Sequence, residues 1–146
     1  MPSHVDSLAS SLNGDWRALL RARVNVLVTG PRTSLEEFMN LCREELRQPL
    51  VFASPGRPLP LHASDTLVVS DVHLLDDAAQ HTLAAWVCDP EHANTQVMSL
   101  TSTPLFALVD EGLFDRDLYY YLNTVHLQLT EATEASTMLI SHPCVA

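Results

Sequence analysis

Apolar residues recur at three- and four-residue steps through Val5, Leu8, Leu12, Trp16 and Leu19, the spacing of one buried helix face. Asn13-Gly14 is a break signal within that face. The period then changes. Val24 to Thr29 is a β-rich run closed by Gly30-Pro31, which predicts a buried strand and a turn. Ser34 with Glu37 three residues on matches a capping box, so a helix is expected from there to about Arg47. Leu50-Val51-Phe52-Ala53 reads as a short strand. The stretch from Ser54 to Asp65 holds Pro55, Gly56, Pro58 and Pro60 and reads as loop. Thr66 to Ser70 is a third strand. Asp76 to Val87 is a helix with Leu75, Ala79, Leu83 and Trp86 on one face. Thr95 to Leu100 is a fourth strand, and Pro104 to Glu111 a short helix ended by Gly112. Asp115 to Leu122 is helical, and Thr124 to Leu129 alternates as a fifth strand. From Thr130 the chain is rich in Thr, Ala and Glu and ends weakly.

Strands alternating with helices predict a mainly parallel α/β sheet covered on both faces. The segment 54–65 is too short to separate domains, and there is no internal repeat. With 146 residues, 47% hydrophobic and 18% charged, the chain is the size and composition of one globular domain. No apolar run approaches the ~18 residues of a membrane helix. The opening MPSHVDSLAS lacks the basic and apolar regions of a signal peptide.

Charge narrows the functional classes. Eighteen Asp and Glu against eight Lys and Arg give a net charge of −10, which disfavours direct nucleic-acid contact. All eight basic residues are arginine. The absence of lysine excludes a Schiff-base lysine, a lysine nucleophile and the phosphate lysine of a P-loop. Cys42, Cys88 and Cys144 are odd in number, with no C-x-x-C spacing. A cytoplasmic protein with reduced thiols and no structural metal fits this usage.

Candidate chemistry is sparse. Asp71 and His73 suggest a base or metal pair, but no third ligand accompanies them, so they are expected to cap a strand and face solvent. Asp77 and His81 share a helix face at i,i+4, a common surface pair. His62, His92, His126 and His142 are scattered. Cys42 and Cys88 are expected to be buried, inert thiols. Tyr119, Tyr120 and Tyr121 point three ways on a helix. The first two are expected in the core, and Tyr121 is an interface candidate.

The segment Glu111-Gly112-Leu113-Phe114-Asp115-Arg116-Asp117-Leu118-Tyr119-Tyr120-Tyr121-Leu122-Asn123 resembles the E-G-x-F-R-x-D-L-Y-Y-R-L-N stretch of the AAA+ domain of sigma-54-dependent, NtrC-like enhancer-binding regulators. Without a gap, Val97 to Thr101 falls on that family's sensor strand, and Thr66 to Val72 on T-L-F-L-D-E-I. Gln80 falls on the glutamine of the following helix, and Val26 to Gly30 on the strand and first P-loop glycine. The resemblance runs from about Leu12 to Leu129. It implies a P-loop NTPase (AAA+) three-layer αβα fold with a mainly parallel five-stranded sheet in order 5-1-4-3-2, over residues 1–129, with 130–146 as a C-terminal tail.

The departures fall on the chemistry. The family's G-E-S-G-T-G-K-E is here Gly30-Pro31-Arg32-Thr33-Ser34-Leu35-Glu36-Glu37, with Glu36 at the lysine position. The Mg²⁺-organising carboxylate is replaced by Ser70, and the water-activating Glu by Asp71. The sensor asparagine falls on Ser102. The two arginines that act in trans fall on Asp115 and Tyr121, with Arg116, one residue off, an interface candidate alongside Tyr121. The G-A-F-T-G-A loop that contacts the sigma factor is replaced by the short segment 54–65. The helical lid and DNA-binding helix-turn-helix would follow Leu129, where this sequence has only a short tail.

The resemblance therefore implies a degenerate, non-enzymatic sigma-54 interaction-type domain. Its expected role is transcription regulation through protein contact, with an intact AAA+ regulator or another transcription component as partner. It is expected to be a monomer or dimer and not a hexamer. No cofactor is expected. A second reading keeps a vestigial ATP and Mg²⁺ site at Gly30, Arg32, Thr33, Ser34, Ser70, Asp71 and Ser102, as in the central domain of an activator or response regulator. A third, an unrelated small enzyme using Asp71, His73 or a cysteine, lacks a readable nucleophile–base–orienter set.

Overall fold

The computed structural model of the chain describes residues 15–60, 65–130 and 138–141. The described residues open with helix α1 (Asp15–Ala22), followed by strand β1 (Val26–Thr29), helix α2 (Arg32–Cys42) and strand β2 (Leu50–Ala53). Next come β3 (Thr66–Val69), a 3₁₀ turn at Val72–Leu74, α3 (Asp77–Cys88) and β4 (Gln96–Thr101). Two short helices, α4 (Leu105–Asp110) and α5 (Arg116–Leu122), precede β5 (Val125–Leu129) and β6 (Met138–Ser141).

The sheet runs in the order β2-β3-β4-β1-β5-β6, with the first five strands parallel and β6 antiparallel to β5. The expected order 5-1-4-3-2 is therefore present and extended by one strand. That strand lies in the tail, beyond the expected last element, where Leu127 pairs with Ile140 and Leu129 with Met138. The expected helix positions before Asp15, and His62, His142 and Cys144, fall outside the described residues.

Every residue of β1, β3 and β4 is buried, because helices cover both faces. Alternate side chains feed two cores. On one face Val26 and Val28 pack with α1 and α2 through Leu20, Leu35, Phe38 and Cys42. On the other, Leu27, Leu67 and Val97 pack with α3, α4 and α5 through Leu83, Trp86, Leu105, Leu118 and Leu122. No helix is present among the described residues of the β2–β3 connection. Leu59 packs against the second core instead.

Two helices start where the sequence places them. The Asp76 carboxylate accepts the Ala79 N–H at 2.8 Å, and the Asp115 carboxylate the Leu118 N–H at 3.0 Å. The capping box does not form. Helix α2 begins at Arg32 directly after Pro31, so Ser34 is inside its first turn, buried, with its hydroxyl donating to the Thr130 carbonyl at 3.3 Å. The helix also ends at Cys42, short of Arg47. Cys42 is buried as expected, whereas Cys88, on the last turn of α3, is exposed. Tyr120 is likewise 46% exposed and not a core residue, because Leu118 and Leu122 take the inward face of α5.

Candidate functional site

In parallel α/β sheets, sites form beyond the carboxyl ends of the strands. Here β1, β3 and β4 bring Gly30, Ser70, Asp71 and Ser102 to that edge, and α2 adds Arg32, Thr33 and Ser34. Seven predicted positions are therefore gathered at one edge. The details differ from a phosphate-binding loop at each.

The connection from β1 to α2 is Gly30-Pro31 alone, so Arg32, Thr33 and Ser34 are helix and not loop. The Gly30 N–H is spent on the Thr101 carbonyl at 3.2 Å. A Cβ on Gly30 would lie 2.7 Å from the Leu129 Cβ and 3.0 Å from its carbonyl oxygen, so the glycine lets β5 cross close by. Pro31 has no N–H, and its carbonyl accepts the Leu35 N–H at 2.9 Å. Arg32 extends from the first turn of α2 to Asp71, 3.6 Å away. The Arg32 side chain is two-thirds exposed, so the pair is a weak tether.

Ser70 donates both its N–H (2.9 Å) and its hydroxyl (3.2 Å) to the Ala53 carbonyl. The residue at the metal-organising position thus prolongs the β2–β3 ladder. Asp71 adopts a left-handed backbone, φ 49°, which turns the chain into the 3₁₀ segment. His73 in that segment is half-buried and does not simply face solvent. Burial pushes its imidazole below the usual histidine value, Asp71 pulls it up and Arg32 pushes it down. Ser102 is exposed. Thr101 beside it folds back, its hydroxyl donating to the Thr103 carbonyl at 2.6 Å and accepting the Thr103 N–H at 3.1 Å.

At the trans-acting positions, Asp115 is held as the α5 cap, and its own N–H donates to Gln80 Oε1 at 2.8 Å. Gln80 is buried, and its amide also donates to the Leu75 and Leu113 carbonyls at 2.9 and 3.2 Å. It therefore fixes α3 to the α4–α5 turn. Arg116 lines a hollow with Asp77 and His81. Tyr121 is exposed on α5, where a hydrogen bond with Cys88 raises its hydroxyl above the usual value.

Two features had no signal in the sequence. An open groove of about 340 Å³ runs between α2 and the β2–β3 ends, with Arg32, Glu36 and Arg43 over Phe52 and Val68. The Arg43 guanidinium stands 5.4 Å above the half-exposed Phe52 ring. At the other end of the sheet, Arg23, with φ 60°, donates to the Asp65 and Asn94 carbonyls. Among the described residues, no three His, Cys, Asp or Glu side chains are placed to hold a metal, and no helix is long and apolar enough to cross a membrane.

The parallel order β2-β3-β4-β1-β5, with a helix rising straight from the first strand, defines a P-loop NTPase-type α/β domain. A family model described as the sigma-54 interaction domain matches residues 7–131, and the chain belongs to that family. It is an AAA+ ATPase-type domain. No curated protein is significantly similar to the chain. Among solved structures, NtrX from Brucella abortus in complex with ADP is similar at TM-score 0.63 and 15% identity, over 82% of this chain and 36% of that one. The same protein in complex with ATP gives TM-score 0.63 at 14% identity, over 84% and 35%. The P-loop NTPase domain of an E. coli sigma-54 activator gives TM-score 0.50 at 19% identity, over 72% and 98%. At these identities the likeness is one of fold. The chain spans about a third of the length of the NtrX structures.

Proposed function

We propose that this chain is a catalytically degenerate sigma-54 interaction domain that regulates transcription by protein contact, without ATP hydrolysis. The observation that carries the reading is the β1–α2 connection of two residues, Gly30-Pro31. A phosphate-binding loop needs successive free N–H groups and close backbone approach. Here one N–H is spent on Thr101, one is absent at proline, and helix replaces the rest.

The remaining residues also fit ATP and Mg²⁺ badly. Glu36 puts an anion at the cation position of the helix start. The Ser70 hydroxyl is turned to β2, and Asp71 faces Arg32. Asp115 and Tyr121 give no trans-acting cation. No cofactor belongs to this reading. The partner is an intact AAA+ regulator or another component of the transcription machinery. The protein works as a monomer or dimer.

One observation favours the second reading, that nucleotide still binds. The first turn of α2 has no side-chain cap, and Arg32 is exposed beside it, so an anion has N–H donors and a cation available. Phosphate release from ATP with Mg²⁺ tests the primary reading. The expected rate equals that without protein. Turnover that is lost in Asp71→Asn would overturn it.

A further inference from the structure

The outward face of α4 and α5 carries an aromatic row that the fold leaves uncovered. Phe106 on α4 is 62% exposed and Tyr120 on α5 is 46% exposed. Half-buried Tyr119 lies between them, its ring centroid 6.3 Å from Phe106 and 5.4 Å from Tyr120. Tilted and edge contacts of this kind make the three rings one continuous strip.

Carboxylates flank the strip at helical spacing. Asp110 follows Phe106 by four residues on α4, and Asp117 precedes Tyr120 and Tyr121 by three and four on α5. Asp117, Tyr120 and Tyr121 line a common hollow. Glu111 extends the acidic run; Arg116, three and four residues before Tyr119 and Tyr120, is the one cation on α5 and also lines the hollow with Asp77 and His81.

A contiguous exposed aromatic patch marks an interaction surface. Charge decides the occupant. A second copy of this chain, also at −10, would set carboxylates against carboxylates. A cationic segment would place its charges over the ring faces and against Asp110 and Asp117 together. We propose that the α4–α5 face is the docking surface for an arginine- or lysine-rich segment of a partner protein. The proposal rests on the protein-contact reading above, and it adds the face and the partner's charge.

The test uses the full chain and a labelled synthetic helical peptide with arginine and leucine at alternating three- and four-residue steps. A matched peptide has glutamate for arginine, and binding is read by fluorescence anisotropy. The arginine peptide binds, less tightly as salt rises, and the glutamate peptide does not. Phe106→Ala with Tyr120→Ala leaves the net charge unchanged and weakens binding by about tenfold. Asp110→Asn with Asp117→Asn removes two negative charges and also weakens binding by about tenfold. Glu36→Gln on α2 with Glu44→Gln in the turn after it removes equal charge away from the strip and changes binding by less than about twofold. Thermal melts confirm that each variant is folded.

Three results overturn the proposal: no binding of the arginine peptide, equal weakening by both charge pairs with none from the ring pair, or a dimer in sedimentation that the ring pair dissolves. No nucleotide enters this assay. Failure of the docking face therefore leaves the phosphate-release result unaffected, and the two readings fail separately.

Discussion

Gly30→Ala separates a glycine kept for packing from one kept for phosphate. The added Cβ meets the Leu129 Cβ at 2.7 Å and the Leu129 carbonyl oxygen at 3.0 Å. Carbon atoms rest at about 3.5–4.0 Å, so the first contact is short by about 1 Å. Neither atom can rotate aside, because both belong to the paired end of β5. Gly30 is also tied to Thr101 on β4. The strain must open the β1–β5 seam, at a cost of about 1–3 kcal/mol for overpacking of this kind. For a domain of this size that lowers Tm by about 3–10 °C. Thermal denaturation followed by far-UV circular dichroism measures it. Gly112→Ala is the control. Its Cβ meets nothing within 4 Å, so only the left-handed backbone, φ +77°, is penalised. An unchanged Tm for Gly30→Ala refutes the packing explanation and returns the glycine to a nucleotide role.

Three further outcomes follow from the same geometry. Gln80→Leu leaves the Leu75 and Leu113 carbonyls and the Asp115 N–H without their partner, and urea denaturation should show a loss of about 2–4 kcal/mol. Asp76→Ala and Asp115→Ala each remove an N-cap worth about 1 kcal/mol. Gln80 bonds both residues, accepting the Asp115 N–H and donating its own backbone N–H to the Asp76 carbonyl, so in the same assay their losses should depart from additivity by about 0.5 kcal/mol or more. Burial pushes the His126 imidazole, 2.8 Å from the Thr29 hydroxyl, below the usual value. The unfolded chain then takes up this proton near pH 6.5 while the folded chain resists it, so the stabilisation is complete above about pH 6.5 and declines below it. Denaturation midpoints across pH 5–7.5 should decline less steeply on the acid side in His126→Gln than in the wild type.

How far the sequence could be read follows from the range of the interactions involved. Strand positions were legible because runs such as Val26 to Val28 and Leu67 to Val69 are apolar and buried on both faces, whereas the strand order came from the family resemblance. The helix starts at Asp76 and Asp115 were legible because the signals that set them, here side-chain caps, act within three residues. Ser34 misled for the same reason. Its spacing to Glu37 is that of a cap, but its position is set by Pro31 and by Thr130, ninety-six residues away. Gly30 aligned with a phosphate-binding glycine, while the contact that requires it comes from Leu129. Cys88 and Tyr120 depended on which helix face turns inward, and three consecutive tyrosines leave that undecided. The Arg43–Phe52 groove joins α2 to β2 across a turn, with no periodic signature. Strand β6 is short and pairs with a neighbour beyond a stretch of low patterning.

The central claim is that the strand edge holding Gly30, Arg32, Ser70 and Asp71 no longer takes nucleotide. Titration calorimetry of the purified chain with ATP and with ADP, each with Mg²⁺, tests it most directly. The account predicts no binding heat at millimolar nucleotide. A micromolar Kd for either would contradict it, and would mean that Arg32 and the first-turn N–H groups of α2 form a nucleotide site without a lysine.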